Sequence, residues 1–294
     1  MRYNHITDKN LIINHNYRRN EVNNMFSHDV LVAFALTLIA GLSTGIGSLV
    51  ALNAKRTNTR FLAVSLGFSA GVMIYVSFIE IFPTAQQALT KGLGDNLGAW
   101  VTAISFFGGM GFIAIIDKLI PKAENPHELS KVEDMNQNVE EVRNSSKLLR
   151  MGLFTALAIG IHNFPEGIAT FLSALGNASL AIPITVAIAL HNIPEGISVF
   201  VPIYYASGSK KKAFVYSFLS GMSEPVGALI GYLILFPFLS DTLFGILFAA
   251  VAGIMVFISL DELLPSAREY GELHLSIYGL VIGQIIMAIS LLLF

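Results

Sequence analysis

Two segments of the chain, residues 159–171 and 188–200, share the pattern His-Asn-x-Pro-Glu-Gly inside long apolar runs. They read IGIHNFPEGIATF and IALHNIPEGISVF. Polar and ionisable side chains at bilayer depth are costly, and they usually mark the path of an ion or a substrate. Imidazole and carboxylate groups are donors for divalent metal ions. The duplicated motif therefore predicts a metal site.

The donor side chains of each motif lie on one face of a helix. At about 100° per residue, Glu166 lies about 40° from His162 around the axis, with Asn163 about 60° to its other side. A carboxylate in that position has two oxygens and can serve two metal ions at once. The second motif repeats this geometry with His191, Asn192 and Glu195. Each His is 14 to 15 residues from the turn near Gly176, so antiparallel helices would bring both motifs to a similar depth.

Four other carboxylates are candidates for the same chemistry. Glu224 precedes Pro225 in the segment SGMSEPVG and is a further predicted metal ligand. Glu80, Asp261 and Glu262 stand near the ends of their apolar runs, where a carboxylate costs less. For these three, a role along an ion pathway and a purely structural role both remain open.

The composition places all of these residues in an integral membrane protein. Of the 294 residues, 54% are hydrophobic and 13% are charged, and the mean hydropathy is +0.65. A membrane helix needs about 20 mainly apolar residues, and runs of that length predict eight spans. The predicted spans are residues 30–52, 61–83, 97–116, 151–175, 180–201, 213–237, 242–264 and 275–294.

The spans contain no Lys or Arg, and the chain has no Cys. Buried carboxylates therefore have no cationic side chain beside them within the membrane, and a bound metal ion would neutralise them. Without thiolates, a metal site is expected to use nitrogen and oxygen donors, and copper(I), which prefers sulfur, is disfavoured. Imidazole with carboxylate suits Zn²⁺ and similar ions, whereas Mg²⁺ and Ca²⁺ prefer oxygen-only ligands.

Internal repeats indicate how the spans are arranged. Residues 70–85 (AGVMIYVSFIEIFPTA) match residues 252–267 (AGIMVFISLDELLPSA) with seven identities, and residues 41–50 run parallel to residues 221–230. Spans one to three thus correspond to spans six to eight. Equivalent spans are five apart, an odd number, so the two copies must cross the membrane in opposite directions. We expect an all-α polytopic fold in a 3+2+3 arrangement, with this inverted repeat around a central helix pair, spans four and five.

Charge predicts the orientation of this single membrane domain, residues 29–294. Lys and Arg concentrate in the loops after spans one, three, five and seven, whereas the alternate loops contain only Lys91. Because cytoplasmic loops are enriched in these residues, we expect both termini outside. Residues 121–147 are expected to form a cytoplasmic loop. Residues 1–28 form a polar extension expected to be disordered, and a start near Met25 or an added leader would account for it.

The paired HN-x-PEG motifs, the SEP of span six and eight spans with outward termini resemble the ZIP (Zrt/Irt-like) family. The similarity covers residues 29–294 and is greatest to its bacterial branch. It implies uptake of divalent transition metals across the bacterial cytoplasmic membrane, with zinc the commonest cargo and Fe²⁺, Mn²⁺, Co²⁺ or Cd²⁺ also accepted. No prosthetic group and no nucleic-acid partner are expected; the partners are metal ions and the lipid bilayer, and the small-residue helix faces permit a homodimer.

The resemblance also implies a pair of metal sites and a mode of movement. The primary site would use His162, Glu166, His191 and Glu195. The neighbouring site would use Asn163, Glu166, Asn192, Glu195 and Glu224. Spans one, four, five and six would carry the metal by elevator-like alternating access.

Two other functions remain open on the residues alone. A membrane-embedded dinuclear metalloenzyme would use the same donors, although the chain lacks an H-E-x-x-H motif and an obvious spare general base. A metal sensor would explain the buried ligands without explaining the repeats. Metal-dependent flux into liposomes separates transport from both alternatives.

Overall fold

The protein is helical throughout the part that the structure describes. The computed structural model describes residues 28–53, 59–119, 141–176, 178–235, 238, 240–270 and 273–293, and these ranges contain no β-strand. The helices are α1 His28–Asn53, α2 Thr59–Val76, α3 Phe82–Leu93, α4 Asp95–Leu119, α5 Glu141–Gly176, α6 Ala178–Ser207, α7 Lys210–Gly221, α8 Ser223–Leu235, α9 Asp241–Ile258, α10 Leu264–Tyr270 and α11 Leu273–Leu293.

Seven helical segments of the described chain are long and apolar enough to cross a membrane. They are His28–Leu52, Ala63–Leu93, Asp95–Lys118, Ile184–Val201, Lys210–Ile234, Asp241–Leu263 and His274–Leu292. The predicted span 151–175 lies within α5, a helix of 36 residues. The all-helical, multi-pass membrane fold is confirmed, and the count of eight crossings stays a prediction.

Glycines and serines set several helix ends in the way that their local chemistry predicts. Gly94 and Gly208 have positive φ angles of 84° and 63°, which turn the chain after α3 and α6. Ser209 and Ser240 cap the next helices, since their hydroxyl oxygens accept hydrogen bonds from the backbone amides of Lys212 and Leu243.

Two π-helical turns interrupt the helices at equivalent positions of the internal repeat. Ser77–Ile81 joins α2 to α3, and Ser259–Leu263 joins α9 to α10. The first turn contains Glu80, and the second contains Asp261 and Glu262. Such turns insert an extra residue into a helix and often occur at functional sites.

Glycines let α2 approach α11 closely, and α9 approach α4. A side chain at Gly71 of α2 would collide with the Leu280 carbonyl of α11, and one at Gly253 of α9 would collide with the Phe106 carbonyl of α4. Small residues at membrane helix interfaces allow this kind of backbone contact. Gly71 and Gly253 occupy equivalent positions of the internal repeat, so α2 packs on α11 as α9 packs on α4.

Glycines of the same kind bring α1 and α8 close to α5 and α6. Gly47 of α1 lies against the Ile193 carbonyl of α6, and Gly227 of α8 lies against the Phe164 carbonyl of α5. In return, Gly196 of α6 lies against α1, and Gly167 of α5 lies against the Glu224 carbonyl of α8. The two motif helices are therefore flanked closely by α1 and α8.

Two segment boundaries differ from the sequence-based expectation. The predicted loop 121–147 ends earlier, because α5 already begins at Glu141; Glu, Arg, Lys and Leu in this stretch are good helix formers. The span predicted to end at Pro83 continues to Leu93, since Pro83 lies in the first turn of α3, where its missing amide hydrogen costs little. Residues 1–27 and 120–140, with the predicted extension and most of the predicted loop, lie outside the described residues.

Candidate metal site

The two motifs meet where α5 and α6 pack against each other. Their His and Glu side chains pair crosswise: His191 Nε2 lies 3.0 Å from Glu166 Oε1, and His162 Nε2 lies 3.4 Å from Glu195 Oε2. All four side chains are buried. The predicted meeting of the motifs at a similar depth is found in the structure, with each imidazole facing the carboxylate of the other helix.

Glu224 joins this group from the first turn of α8. The Asn192 side-chain amide donates a hydrogen bond to the Glu224 carboxylate and another, of 3.0 Å, to the Ala40 carbonyl of α1. Asn163 is fully buried in the neighbouring motif. We call the resulting set the donor cluster. Its members are His162, Asn163, Glu166, His191, Asn192, Glu195 and Glu224.

The donor cluster, which lies wholly within the described residues, is buried but poorly satisfied. Twelve of its fourteen polar side-chain atoms have no hydrogen-bond partner. The other two, Asn192 Nδ2 and Glu224 Oε1, bond to each other. A buried polar group without a partner costs free energy, and a buried charge costs much more. The cluster therefore needs a further species, such as a cation, to complete its interactions.

The imidazole–carboxylate contacts have the spacing of ligands that share an ion. Both contacts lie within ion-pair distance, but neither meets the geometry of a hydrogen bond. Two ligands placed about 2.0 to 2.1 Å from a tetrahedral Zn²⁺ lie about 3.4 Å from each other. The His162–Glu195 distance of 3.4 Å matches that value, and the His191–Glu166 distance of 3.0 Å is slightly shorter.

The cluster nevertheless does not form a finished coordination shell. Among the described residues, no three His, Asp or Glu side chains surround a common point in the way a bound ion requires. The donors are present as pairs rather than as a single tetrahedral set. Closing the pairs around an ion requires side-chain rotations within the cluster.

The remaining candidates lie in the π-helical turns. Glu80 and Glu262 occupy equivalent repeat positions and are partly buried, whereas Asp261 is exposed. Because the span that contains Glu80 continues to Leu93, Glu80 lies inside this span rather than near its end, whereas Asp261 and Glu262 lie next to the end of theirs at Leu263.

Two site contacts were not predicted from the sequence. The Ala40 carbonyl is a backbone group, which carries no side-chain signal. The Ser69 hydroxyl of α2 donates a 3.3 Å hydrogen bond to the His191 carbonyl. The only sign of this contact in the sequence is that Ser69 is a small polar residue within an apolar run.

The fold and the cluster together define a class of protein. Multi-pass helices around buried ionisable donors, with no cationic side chain in the apolar runs, are the arrangement of a membrane transporter for ions. A family model described as ZIP Zinc transporter matches residues 27–291. The chain belongs to the ZIP family.

Curated relatives match along nearly their whole length. A protein of Streptococcus mutans named Zinc transporter ZupT is 65% identical over 268 residues, which are 91% of this chain and 99% of the relative. Proteins of the same name from Clostridium perfringens and Chlorobium chlorochromatii are 63% and 60% identical, over 91% and 90% of this chain and 97% and 98% of their own length. Membership of a transporter family favours transport over the metalloenzyme and sensor alternatives.

Proposed function

We propose that this protein carries divalent transition metals into the cytoplasm, with Zn²⁺ as the principal cargo and Fe²⁺, Mn²⁺, Co²⁺ and Cd²⁺ as further cargo ions. The observation that carries the proposal is the crosswise pairing of two buried imidazoles with two buried carboxylates, none of them hydrogen-bonded. The names of the relatives support zinc, and the nitrogen–oxygen donor set suits it.

The cargo site is proposed to hold two ions. His162, Glu166, His191 and Glu195 would bind the first ion. Asn163, Glu166, Asn192, Glu195 and Glu224 would bind the second ion. Two divalent cations would bring four positive charges to three carboxylates, in a region whose apolar runs contain no Lys or Arg. The hydrogen bond between Asn192 and Glu224 supports their assignment to one site.

We further propose eight crossings in a 3+2+3 arrangement, with α5 and α6 as the central pair between inverted repeats. Two observations support it. The π-helical turns fall at equivalent repeat positions. The glycine contacts of α2 with α11 have counterparts between α9 and α4.

Alternating access would move the central helices as one body. The glycine-to-carbonyl contacts that bind α1 and α8 to α5 and α6 support a rigid carrier of the donor cluster. The paired outer helices α2 with α11 and α4 with α9 would form the frame. Glu80, Asp261 and Glu262 would line the two ends of the ion path. The protein would form a homodimer through the frame helices.

Metal uptake into proteoliposomes tests the proposal. We expect saturable Zn²⁺ influx that Mg²⁺ does not inhibit, because Mg²⁺ prefers oxygen-only ligands. The double variant His162→Ala/His191→Ala should lose this influx. His274→Ala, an exposed His on α11, is the matched control and should retain it. Tight zinc binding without influx would contradict transport and support an embedded enzyme or a sensor.

Residue-specific labelling tests the orientation in the bacterial cytoplasmic membrane, with both termini outside. The chain contains no Cys, so single cysteines can be introduced without a background. Lys91→Cys and Lys211→Cys replace exposed lysines of α3 and α7. A membrane-impermeant maleimide should label Lys91→Cys in intact cells and Lys211→Cys only after permeabilisation. The reverse pattern would overturn the orientation.

A further inference from the structure

An open cavity of about 640 Å³ lies between α4, α5 and α7. We call it the α4–α5–α7 groove. Its lining includes Phe112 and Ile116 of α4, Leu157 and Gly160 of α5, and Leu219 of α7. Most of the lining is apolar.

The few polar residues of the groove leave little for a polar ligand to bind. Ser220 and Ser223 line it, but their hydroxyls donate hydrogen bonds of 2.7 and 2.6 Å to the carbonyls of Ser217 and Ser220. The part of an occupant that lies beside these two serines is therefore apolar.

The groove is accessible from the hydrocarbon region of the bilayer. Phe112, Leu157 and Leu219 are each more than half exposed, at 57%, 52% and 57%. Phe112 and Leu219 belong to helical segments long and apolar enough to cross a membrane. Leu157 belongs to α5, which lies among such segments. A lipid acyl chain can therefore enter from the side, and it is the apolar molecule present at highest concentration.

One end of the groove is basic. Lys212 lies one turn before Tyr216, another lining residue, on the helix face that continues to Leu219 and Ser223. Lys118, beside Asp117 at the end of α4, stands two residues beyond Ile116 and about 200° around the helix axis from it, so Lys118 lies on the face of α4 that turns away from the groove. The α4 and α7 lysines at this end, Lys118, Lys210, Lys211 and Lys212, are all exposed.

We propose that the α4–α5–α7 groove binds an anionic phospholipid, with an acyl chain along the groove and the phosphate against Lys212. Basic pockets beside membrane helices attract anionic head groups, and the apolar walls exclude a free phosphate from the groove itself. The lining includes Phe164 and Pro165 of the first motif. The bound chain would therefore pack against the same stretch of α5 that carries His162.

Fluorescence quenching by brominated lipids tests this proposal. The chain has one Trp, and Trp100 is 70% exposed on α4, twelve residues and about 18 Å from Phe112. The variant Trp100→Phe/Leu157→Trp moves the fluorophore to the groove. In phosphatidylcholine bilayers, brominated phosphatidylglycerol should quench this Trp with about fivefold preference over brominated phosphatidylcholine. Native Trp100, the matched probe of bulk lipid, should show a ratio near one.

Adding Lys212→Gln to the groove variant should lower the preference toward one, whereas Lys91→Gln, a lysine of α3, should leave it unchanged. Equal quenching by both lipids at the groove would overturn the proposal. Absence of quenching by either lipid would also overturn it, because a second copy of the chain would then cover the groove. If Leu157→Trp fails to fold, Leu219→Trp on α7 provides the same measurement.

Discussion

Replacing Glu166 with Gln is expected to lower zinc uptake by at least about 100-fold. Glu166 is buried, its Oε1 atom lies 3.0 Å from His191 Nε2, and in the proposed site it bridges both ions. Gln keeps the size of the side chain but removes the charge that two cations would share. Loss of a partner outside the ligand shell costs about 10- to 100-fold in metal affinity, so loss of a bridging ligand should cost more.

A comparison with Asn163→Ala shows whether the loss of uptake is specific to the residue that bridges both ions. Asn163 is buried without a hydrogen-bond partner and would contact only the second ion. Its replacement should therefore reduce uptake by about 10-fold or less. Radioactive zinc influx and equilibrium zinc binding, measured on both purified variants, separate the two effects. Equal losses in the two variants, or normal uptake by Glu166→Gln, would refute the bridging role.

Replacing Gly167 with Ala is expected to disrupt the site through the backbone. An added methyl group would collide with the Glu224 carbonyl of α8. A carbonyl within a helix cannot rotate away, so α5 and α8 must separate and Glu224 must leave the cluster. Overpacking of this kind costs about 3 kcal/mol or more in its severe cases. Thermal unfolding of the purified variant should show the loss of stability, and zinc uptake should fall with it.

Gly160→Ala on the same helix is the matched control for that substitution. A methyl group there would meet its nearest neighbours, Ser220 and Ser223, only at 4.0 Å. Because Ala favours helix over Gly, this variant should be as stable as the native protein or slightly more stable. If both variants behave alike, the close approach of α5 to α8 does not control the site.

The sequence predicted the helices and the side chains of the cluster for clear physical reasons. Apolar runs of about 20 residues have few alternatives to membrane helices, and duplicated polar motifs inside them indicate a shared site. The π-helical turns were not predicted, although the repeat that contains them was. They depend on a local change of hydrogen bonding that leaves the apolar pattern intact.

Details that depend on how helices face each other were beyond the sequence. Angular positions on one helix placed His162 and Glu166 on a shared face, but they did not give the contact of His162 with Glu195 of the neighbouring helix. That contact depends on the depth and rotation of α5 relative to α6. The Ala40 carbonyl and the α4–α5–α7 groove likewise arise from packing between segments distant in the chain.

The most direct test of the cargo site is X-ray diffraction from crystals grown with zinc, recorded at energies above and below the zinc absorption edge. The proposed site predicts two anomalous peaks within the donor cluster, about 3.5 to 4 Å apart, with the first within ligand distance of His162 and His191. Peaks found only elsewhere on the protein would contradict the central claim that the donor cluster binds the transported metal.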